Sequence, residues 1–444
     1  MNPRRKKTTI LIGLLLGAAA ANAQQQRALP LREAIDLSIR NSKELKGSEA
    51  RIAGATAALR EAVERKLPDA SVSGSYLLLN KPTVNLKSSS SSGGGSGSGS
   101  PSAPRSAAYV MANVSMPLYA GGRIRYGVES ARYLEQAARL DAADDREAIV
   151  SNTIDAYLNL YKSKSAVSIM EENLQSARQR VKELSDLEKN GLLARNDLLK
   201  AQLQQSNTEL ALLDAQNNWQ LANINMDLML GLPEATEIVI DSTSLATEVT
   251  LKPVEDYVQA GLQQRADLSA LSFRRKAAET GVKATLAERY PSVAVTGGYV
   301  ALDVPHVLTV LNAINLGIGV RYDIGSLWKN KARVQQAEAR VQEAQAGEAR
   351  LSEGVRLQVH QRYLAYLTSR KKIDVNATAV AQATENYRVV HNKYSNSLAT
   401  TTELLDADAA LLQARLNHAV AQADAVVAYD KLLQAAGLLS TSIQ

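Results

Sequence analysis

The chain says nearly the same thing twice. Pro68 and the alternating run behind it, with Val72, Gly74 and Tyr76, return as Pro291 followed by Val293, Val295, Gly297 and Tyr299, at an offset of 223 residues. Farther on, Asn190-Gly191-Leu192 and Asp197 return as Asn396-Ser397-Leu398 and Glu403, at an offset of 206. The offset shrinks because the first copy carries a longer insertion between its two alternating runs. A duplicated unit of short strands and very long helices is a narrow architectural class.

The first residues read as an export signal. Arg4, Arg5, Lys6 and Lys7 precede an apolar run, Ile10 to Ala21, that is too short to span a membrane easily; Ala21-Asn22-Ala23 then offers a small-residue cleavage site, so residues 1–23 are read as a cleaved signal peptide. The sequence contains no cysteine, which excludes disulfides and a lipid on a mature N-terminal cysteine. Those four basic residues account for most of the formal charge of +6, and the remaining balance of about +2 argues against nucleic acid as a partner. One Phe and two Trp, against abundant Ala, Leu and Gln, suit long helices better than a compact mixed core. Past the signal no run of about 20 apolar residues remains, so an exported chain of this kind is either soluble or enters a membrane as a β-barrel.

Four segments alternate as strands do, about 69–79, 108–118, 292–302 and 314–323. In the clearest, Leu316, Ile318, Val320 and Tyr322 share one face, and Asn315, Gly317, Gly319, Arg321 and Asp323 the other. Each has the roughly ten residues that a tilted strand needs to cross a bilayer. Alternation alone fits four half-buried strands of a soluble sheet equally well. The polar second face, with Tyr119, Tyr290, Tyr322 and Trp328 near the strand ends, favours the membrane. Four strands cannot close a barrel, for which about eight is the working minimum, so several chains must share one. The Ser/Gly-rich stretch within 81–107 is expected to be an extracellular loop, with an engineered linker as the alternative.

Long helices are expected over 123–190 and 328–395, each roughly 100 Å at about 1.5 Å per residue, with returning helices over 195–230 and 400–436. Shorter stretches, Asp36 to Lys66 and Asp256 to Arg289, are expected to stack on the returning helices end to end. The first copy is then 24–252 and the second 253–444. Near the tips Val167, Met170, Leu174, Ala177, Val181 and Leu184 step by three and four, as do Val380, Ala383, Tyr387, Val390 and Tyr394. On the last helix Leu405, Ala409, Leu412, Leu416, Ala419, Ala423 and Val426 predict a coiled-coil seam. Gly121, Gly122 and Gly325 are placed to make the sharp turns from strand to helix.

Strand, insertion, strand and long helical hairpin, repeated after a signal peptide, resembles the TolC-type outer-membrane factors over essentially the whole mature chain. The most specific residues are those of the hairpin tips: Asn190, Gly191 and Leu192 ahead of Asp197-Leu-Leu-Lys-Ala201, and Tyr394, Asn396, Ser397 and Leu398 ahead of Glu403-Leu-Leu-Asp406-Ala407. The resemblance implies a mainly helical protein with membrane strands, in which three protomers give four strands each to a twelve-stranded barrel continued by a periplasmic coiled-coil tunnel. It implies a homotrimer in the outer membrane, docked at the hairpin tips onto a periplasmic adaptor and an inner-membrane pump, and exporting small molecules or proteins by tripartite efflux or type I secretion. It further implies that Glu403 and Asp406, three apart and on one helix face, ring a periplasmic aperture that attracts cations. Asp197 and Tyr394 would tie the hairpins shut. Ala399 stands where the family's namesake has an arginine in that network.

No catalytic set is visible, no phosphate-cradling loop occurs, and His306, His360, His391 and His418 lack metal-site spacing, so neither enzymatic activity nor a cofactor or metal is expected. Two other classes compete with the duct. An exported periplasmic adaptor usually has one hairpin flanked by β-domains, whereas here there are two, each joined to paired strands. An exported coiled-coil structural protein would not extract with outer membranes.

Overall fold

The computed structural model describes residues 26–80, 104–240, 250–305 and 308–439. The expected signal peptide and most of the Ser/Gly-rich segment lie outside the described residues. The duplication governs the order of elements. The first copy runs β1 (Gln26–Leu29), α1 (Leu31–Asn41), α2 (Lys43–Glu64), β2 (Asp69–Leu78), β3 (Ser106–Ala120), α3 (Arg123–Lys189) and α4 (Arg195–Leu230). The second runs β4 (Glu237–Ile240), α5 (Val254–Gln264), α6 (Ala266–Ala287), β5 (Ser292–Val304), β6 (Leu308–Arg321), α7 (Ser326–Ser395) and α8 (Thr401–Ala435). By element order the second copy opens at β4, earlier than residue 253. Each short helical stretch is two helices rather than one, broken at Ser42 and Arg265, where the backbone is extended.

The chain forms two compact units, to both of which α3 and α7 contribute. The first comprises the described part of Met1–Ala50, Leu140–Ser269 and Arg350–Gln444. Its main core gathers Leu29, Ile35, Ile154, Tyr157, Leu158, Met226, Leu230, Ile238, Val359, Leu432 and Leu439. Strands β1 and β4 pair in parallel, Gln26 beside Glu237 through Leu29 beside Ile240. So short a pair needs outside support. The Tyr157 hydroxyl donates to the Leu29 carbonyl at 2.8 Å, and Asn223 both donates to the Thr236 carbonyl (2.6 Å) and accepts the Ile238 N–H (3.0 Å). Helices α4 and α8 end alike, on Gly231 and Gly437 in the left-handed region, so the 206-residue offset continues to the last turn.

The second unit is Arg51–Arg139 with Ala270–Ala349. Its four strands pair antiparallel in the order β2-β3-β5-β6. The register aligns one apolar face across all four: Val72, Ala112, Tyr299 and Ile314 stand in one row, and Met116, Val295 and Ile318 in another. Val72, Tyr76, Val114, Met116, Leu316, Ile318 and Val320 are exposed on that face. The opposite face is small and polar, with Asn113, Gly298 and Asn315 adjacent; a Cβ on Gly298 would sit 2.7 Å from the Asn315 side chain. Strands β2 and β6 each have one edge unpaired by the other strands. Among the described residues no helix is long and apolar enough to cross a membrane.

At the foot of β3, Gly121 and Gly122 take φ of +64° and +91°. A side chain at Gly121 would meet the Ala287 carbonyl oxygen at 2.6 Å, so that turn needs glycine twice over, for conformation and for space. Gly325 differs. Its φ is not positive, and the turn into α7 is instead held by the Asp323 carboxylate, which accepts the Gly325 N–H at 3.0 Å.

Candidate functional site

The two hairpin tips, both in the first unit, are built on one plan. Gly191 (φ +71°) donates to the Glu188 carbonyl and Leu192 to that of Leu187, each at 2.9 Å. Ser397 (φ +59°) donates to Tyr394 at 2.9 Å and Leu398 to Lys393 at 2.8 Å. Each is the left-handed closure of a helix C-terminus, which satisfies carbonyls that would otherwise be orphaned. Asn190 and Asn396 each cap back onto the carbonyl four residues earlier. What each tip leaves outward is a leucine: Leu192 is 74% and Leu398 76% exposed.

Past the second tip, Thr400 opens α8 with a capping box. Its hydroxyl accepts the Glu403 N–H (3.2 Å), while the Glu403 carboxylate accepts the Thr400 N–H (2.6 Å) and hydroxyl (3.0 Å). These bonds from Thr400, the backbone one foremost, hold the Glu403 carboxyl below its ordinary range. Glu403 therefore stays charged and also starts the helix. The Thr400-x-x-Glu403 pattern was available in the sequence as a capping signal. Asp406, one turn on, is exposed.

Asp197 and Tyr394 line one cleft of about 1180 Å³, but no hydrogen bond joins them within the protomer. Asp197 pairs with Lys200 at 3.5 Å, and Lys200 donates to the Thr402 hydroxyl at 3.2 Å, linking α4 to α8. The Tyr394 hydroxyl accepts from Thr401 at 3.4 Å, and its ring packs on a small tip core of Leu184, Leu198 and Ala201. Ala399 lies in the same cleft wall.

Deeper in that cleft the structure adds a residue pair that periodicity did not reveal. Arg180 of α3 donates to Asp408 of α8 at 3.0 Å, with the two side chains 8% and 9% exposed, and to the Tyr387 hydroxyl at 3.4 Å. Burial works against the Arg180 charge, but the bond and the field of Asp408 outweigh it, so its pKa is raised and the guanidinium remains ionised. Arg180 lies within the seam of the first copy, where Val167, Leu174, Ala177 and Leu184 are buried as expected, and Asp408 reaches it from α8 of the second copy. On α8 the buried stripe is Leu404, Ala407, Asp408, Leu411 and Ala414. Near the tip the stripe expected from spacing sits beside it, with Ala409 exposed and Leu405, Leu412 and Leu416 half-buried, whereas farther along the helix Ala423 is fully buried and Val426 packs on the main core as expected. An Ala/Leu-rich helix carries two such stripes side by side, and spacing cannot say which one faces inward. Among the described residues no group of His, Asp and Glu is arranged to hold a metal ion.

Comparison with known proteins agrees with this geometry. The chain matches the outer membrane efflux protein family over residues 34–232 and 257–438. It belongs to that family. The outer membrane efflux protein BepC of Brucella suis biovar 1 (strain 1330) is 22% identical over 339 residues, covering 76% of this chain and 73% of BepC. Among solved structures, the outer membrane protein VceC of Vibrio cholerae superposes with a TM-score of 0.74 at 21% identity, over 92% of this chain and 96% of VceC. The Campylobacter jejuni CmeC outer membrane channel gives 0.73 at 18%, over 92% and 86%. The Neisseria gonorrhoeae MtrE outer membrane channel, solved in an open state, gives 0.67 at 16%, over 92% and 89%. The fold is thus that of the family's outer-membrane channels.

Proposed function

We propose that the chain is one protomer of a homotrimeric exit duct. It conducts small molecules or proteins passively through the outer membrane for a tripartite efflux or type I secretion system, and it is gated at its periplasmic tip. The observation that carries this reading is the apolar face aligned across four strands and ending at two unpaired edges, on a chain of the outer membrane efflux family. A sheet of this kind is unsatisfied alone, because its edges need partners and its face needs lipid. Three copies joined edge to edge supply twelve strands. Exposed leucines favour the same assembly: Leu203 and Leu210, then Leu221 and Leu228 on α4, and Leu357 and Leu364 on α7, recur at seven-residue spacing.

In this reading Leu192 and Leu398 are apolar anchors for a periplasmic adaptor that couples the duct to an inner-membrane pump. Glu403 and Asp406 provide the acidic aperture; threefold symmetry places six carboxylates around it, repelling anions and concentrating cations. The tie between the copies runs from Asp197 through Lys200 to Thr402, so the lysine takes the part that an arginine at position 399 would play. Tyr394 supports it by packing at the tip.

The test is single-channel conductance of the purified protein in planar bilayers, beside a Glu403→Gln/Asp406→Asn variant. Gln at 403 keeps a capping-box acceptor while removing the charge. Small cation-selective openings that widen and lose selectivity in the variant are expected. Unchanged conductance would move the aperture to other residues. Failure of either protein to insert would replace the duct with a soluble coiled-coil protein.

A further inference from the structure

Strands β2 and β6 lie at the edges of their sheet, yet neither is protected as an edge usually is. From Ser71 to Leu78 on β2 and from Leu308 to Val320 on β6 there is no proline and no charged residue. Exposed edges are ordinarily blunted by one or the other, because a free row of N–H and C=O groups recruits another strand. The order β2-β3-β5-β6, antiparallel throughout, makes β6 antiparallel to β2. The β6 edge of one copy can therefore receive the β2 edge of the next and keep the alternation. The register in which they meet is the open quantity.

The duplication supplies it. Moved along the chain by 223 residues, β2 falls on β5; moved by 206, β3 falls on β6. The pairing moves with them. Asp69 beside Ser115 becomes Ser292 beside Arg321, and Ser73 beside Met111 becomes Thr296 beside Gly317, each as observed. The match holds from Asp69 to Leu77, so the two hairpins share one register. Within the protomer they are joined through β3 and β5. There Ala112 stands beside Tyr299, Asn113 beside Gly298, Val114 beside Gly297 and Ser115 beside Thr296.

We propose that the seam between copies repeats this internal seam. Carrying β3 forward onto β6 and β5 back onto β2 sets Ile318 beside the next copy's Tyr76, and Gly319 beside its Ser75. Val320 then stands beside its Gly74, and Arg321 beside its Ser73. The side chains agree with the assignment. A slip of one residue would turn the serines of β2 to the apolar face, so only slips of two compete. The Gly-x-Tyr of β5, which receives Val114 and Ala112, recurs on β2 as Gly74-Ser75-Tyr76 and receives Val320 and Ile318. Valine again meets glycine, and tyrosine gains a branched aliphatic neighbour across the strands. Arg321 meets a hydroxyl and no second cation. The barrel is then a ring of like hairpins, closed by a head-to-tail contact between copies. The inference rests on the duct reading and adds the residues that join its protomers.

The sequence contains no cysteine, so engineered pairs report on the seam without interference. Gly319, Arg321, Ser73 and Ser75 all belong to the polar face, and a Cβ on Gly319 meets nothing nearer than 3.7 Å. The full-length protein is made as Gly319→Cys/Ser75→Cys and Arg321→Cys/Ser73→Cys, the expected neighbours. Gly319→Cys/Ser73→Cys and Arg321→Cys/Ser75→Cys report slips of two. Each is extracted in detergent under reducing conditions, checked as an oligomer by native gel mobility, oxidised with copper phenanthroline and run on a denaturing gel. A disulfide needs Cα atoms about 4.4–6.8 Å apart, which direct cross-strand neighbours satisfy and diagonal ones, at about 7–8 Å, do not. The first two variants are expected to give covalent trimer in at least about tenfold higher yield than the last two. They read one register independently, so if either fails to assemble the other decides. Crosslinking chiefly through a slipped pair, equally in all variants, or in none while the oligomer forms, overturns this register and leaves the duct reading standing. Wild-type protein that yields no oligomer in detergent overturns the duct reading, and this inference with it.

Discussion

Removing Asp408 should loosen the hairpin tips far more than removing any surface charge near them. Asp408→Asn keeps the shape of the side chain but leaves the Arg180 guanidinium, 8% exposed, facing a neutral group. Breaking one partner of a buried ion pair costs about 3–5 kcal/mol, because the surviving charge stays desolvated. The pair joins α3 to α8, and so joins the two copies, which means the loss should appear as local opening rather than global unfolding. At about 1.4 kcal/mol per tenfold, hydrogen exchange should accelerate roughly 10²- to 10³-fold near Arg180 and near Asp408. Amides of the β1–β4 pair should be unaffected. A paired apolar replacement, Arg180→Met/Asp408→Leu, should recover most of the protection, since neither buried charge remains. In planar bilayers Asp408→Asn should lengthen openings. Unchanged exchange in Asp408→Asn, or a double variant as labile as the single one, would refute the view that this pair ties the copies together.

Gly191→Ala should cost about 1–2 kcal/mol, entirely from the left-handed backbone, since a Cβ there meets nothing within 4 Å; thermal unfolding measures it. Gly121→Ala should be worse and should reduce the yield of assembled oligomer, because the clash with the Ala287 carbonyl oxygen adds to the backbone strain. Asp430 has its pKa pushed up to about 7, by burial first and then by the neighbouring Asp155. The folded state therefore holds a proton that the unfolded chain has released, and stability falls as pH rises from about 4 through about 7, by at most about 4 kcal/mol. Asp430→Asn should flatten that dependence in melts at pH 5 and pH 8. An equally steep profile in the variant would remove Asp430 as the cause.

Much of this architecture is written in periodicity. The four strands and the long helices α3 and α7 stand where alternation and heptad spacing place them, because each pattern runs long enough to be distinct from its rivals. The tips were legible too: Asn190-Gly191-Leu192 and Asn396-Ser397-Leu398 mark the two turns, and both adopt the same left-handed closure. The parallel pair β1–β4 was not legible, because four residues are too few for alternation to register and a parallel partner some 200 residues away leaves no turn signal.

The candidate site divides along the same line. The resemblance to the TolC-type factors singled out Glu403, Asp406, Asp197 and Tyr394, and each lies within a few residues of a tip turn. Which groups meet across the cleft is a property of packing. Asp197 meets Lys200, Tyr394 meets Thr401, and Arg180 reaches Asp408 across 228 residues of chain. A charged residue three places beyond Ala177 in an apolar seam was the one clue in the sequence, and it named no partner. The sequence alone determined the repeated strand and helix pattern, because each element's period is set by its own backbone geometry. The tertiary structure decided which of two apolar stripes on α8 turned inward and which buried charges found each other, because those choices depend on surfaces that only folding brings together.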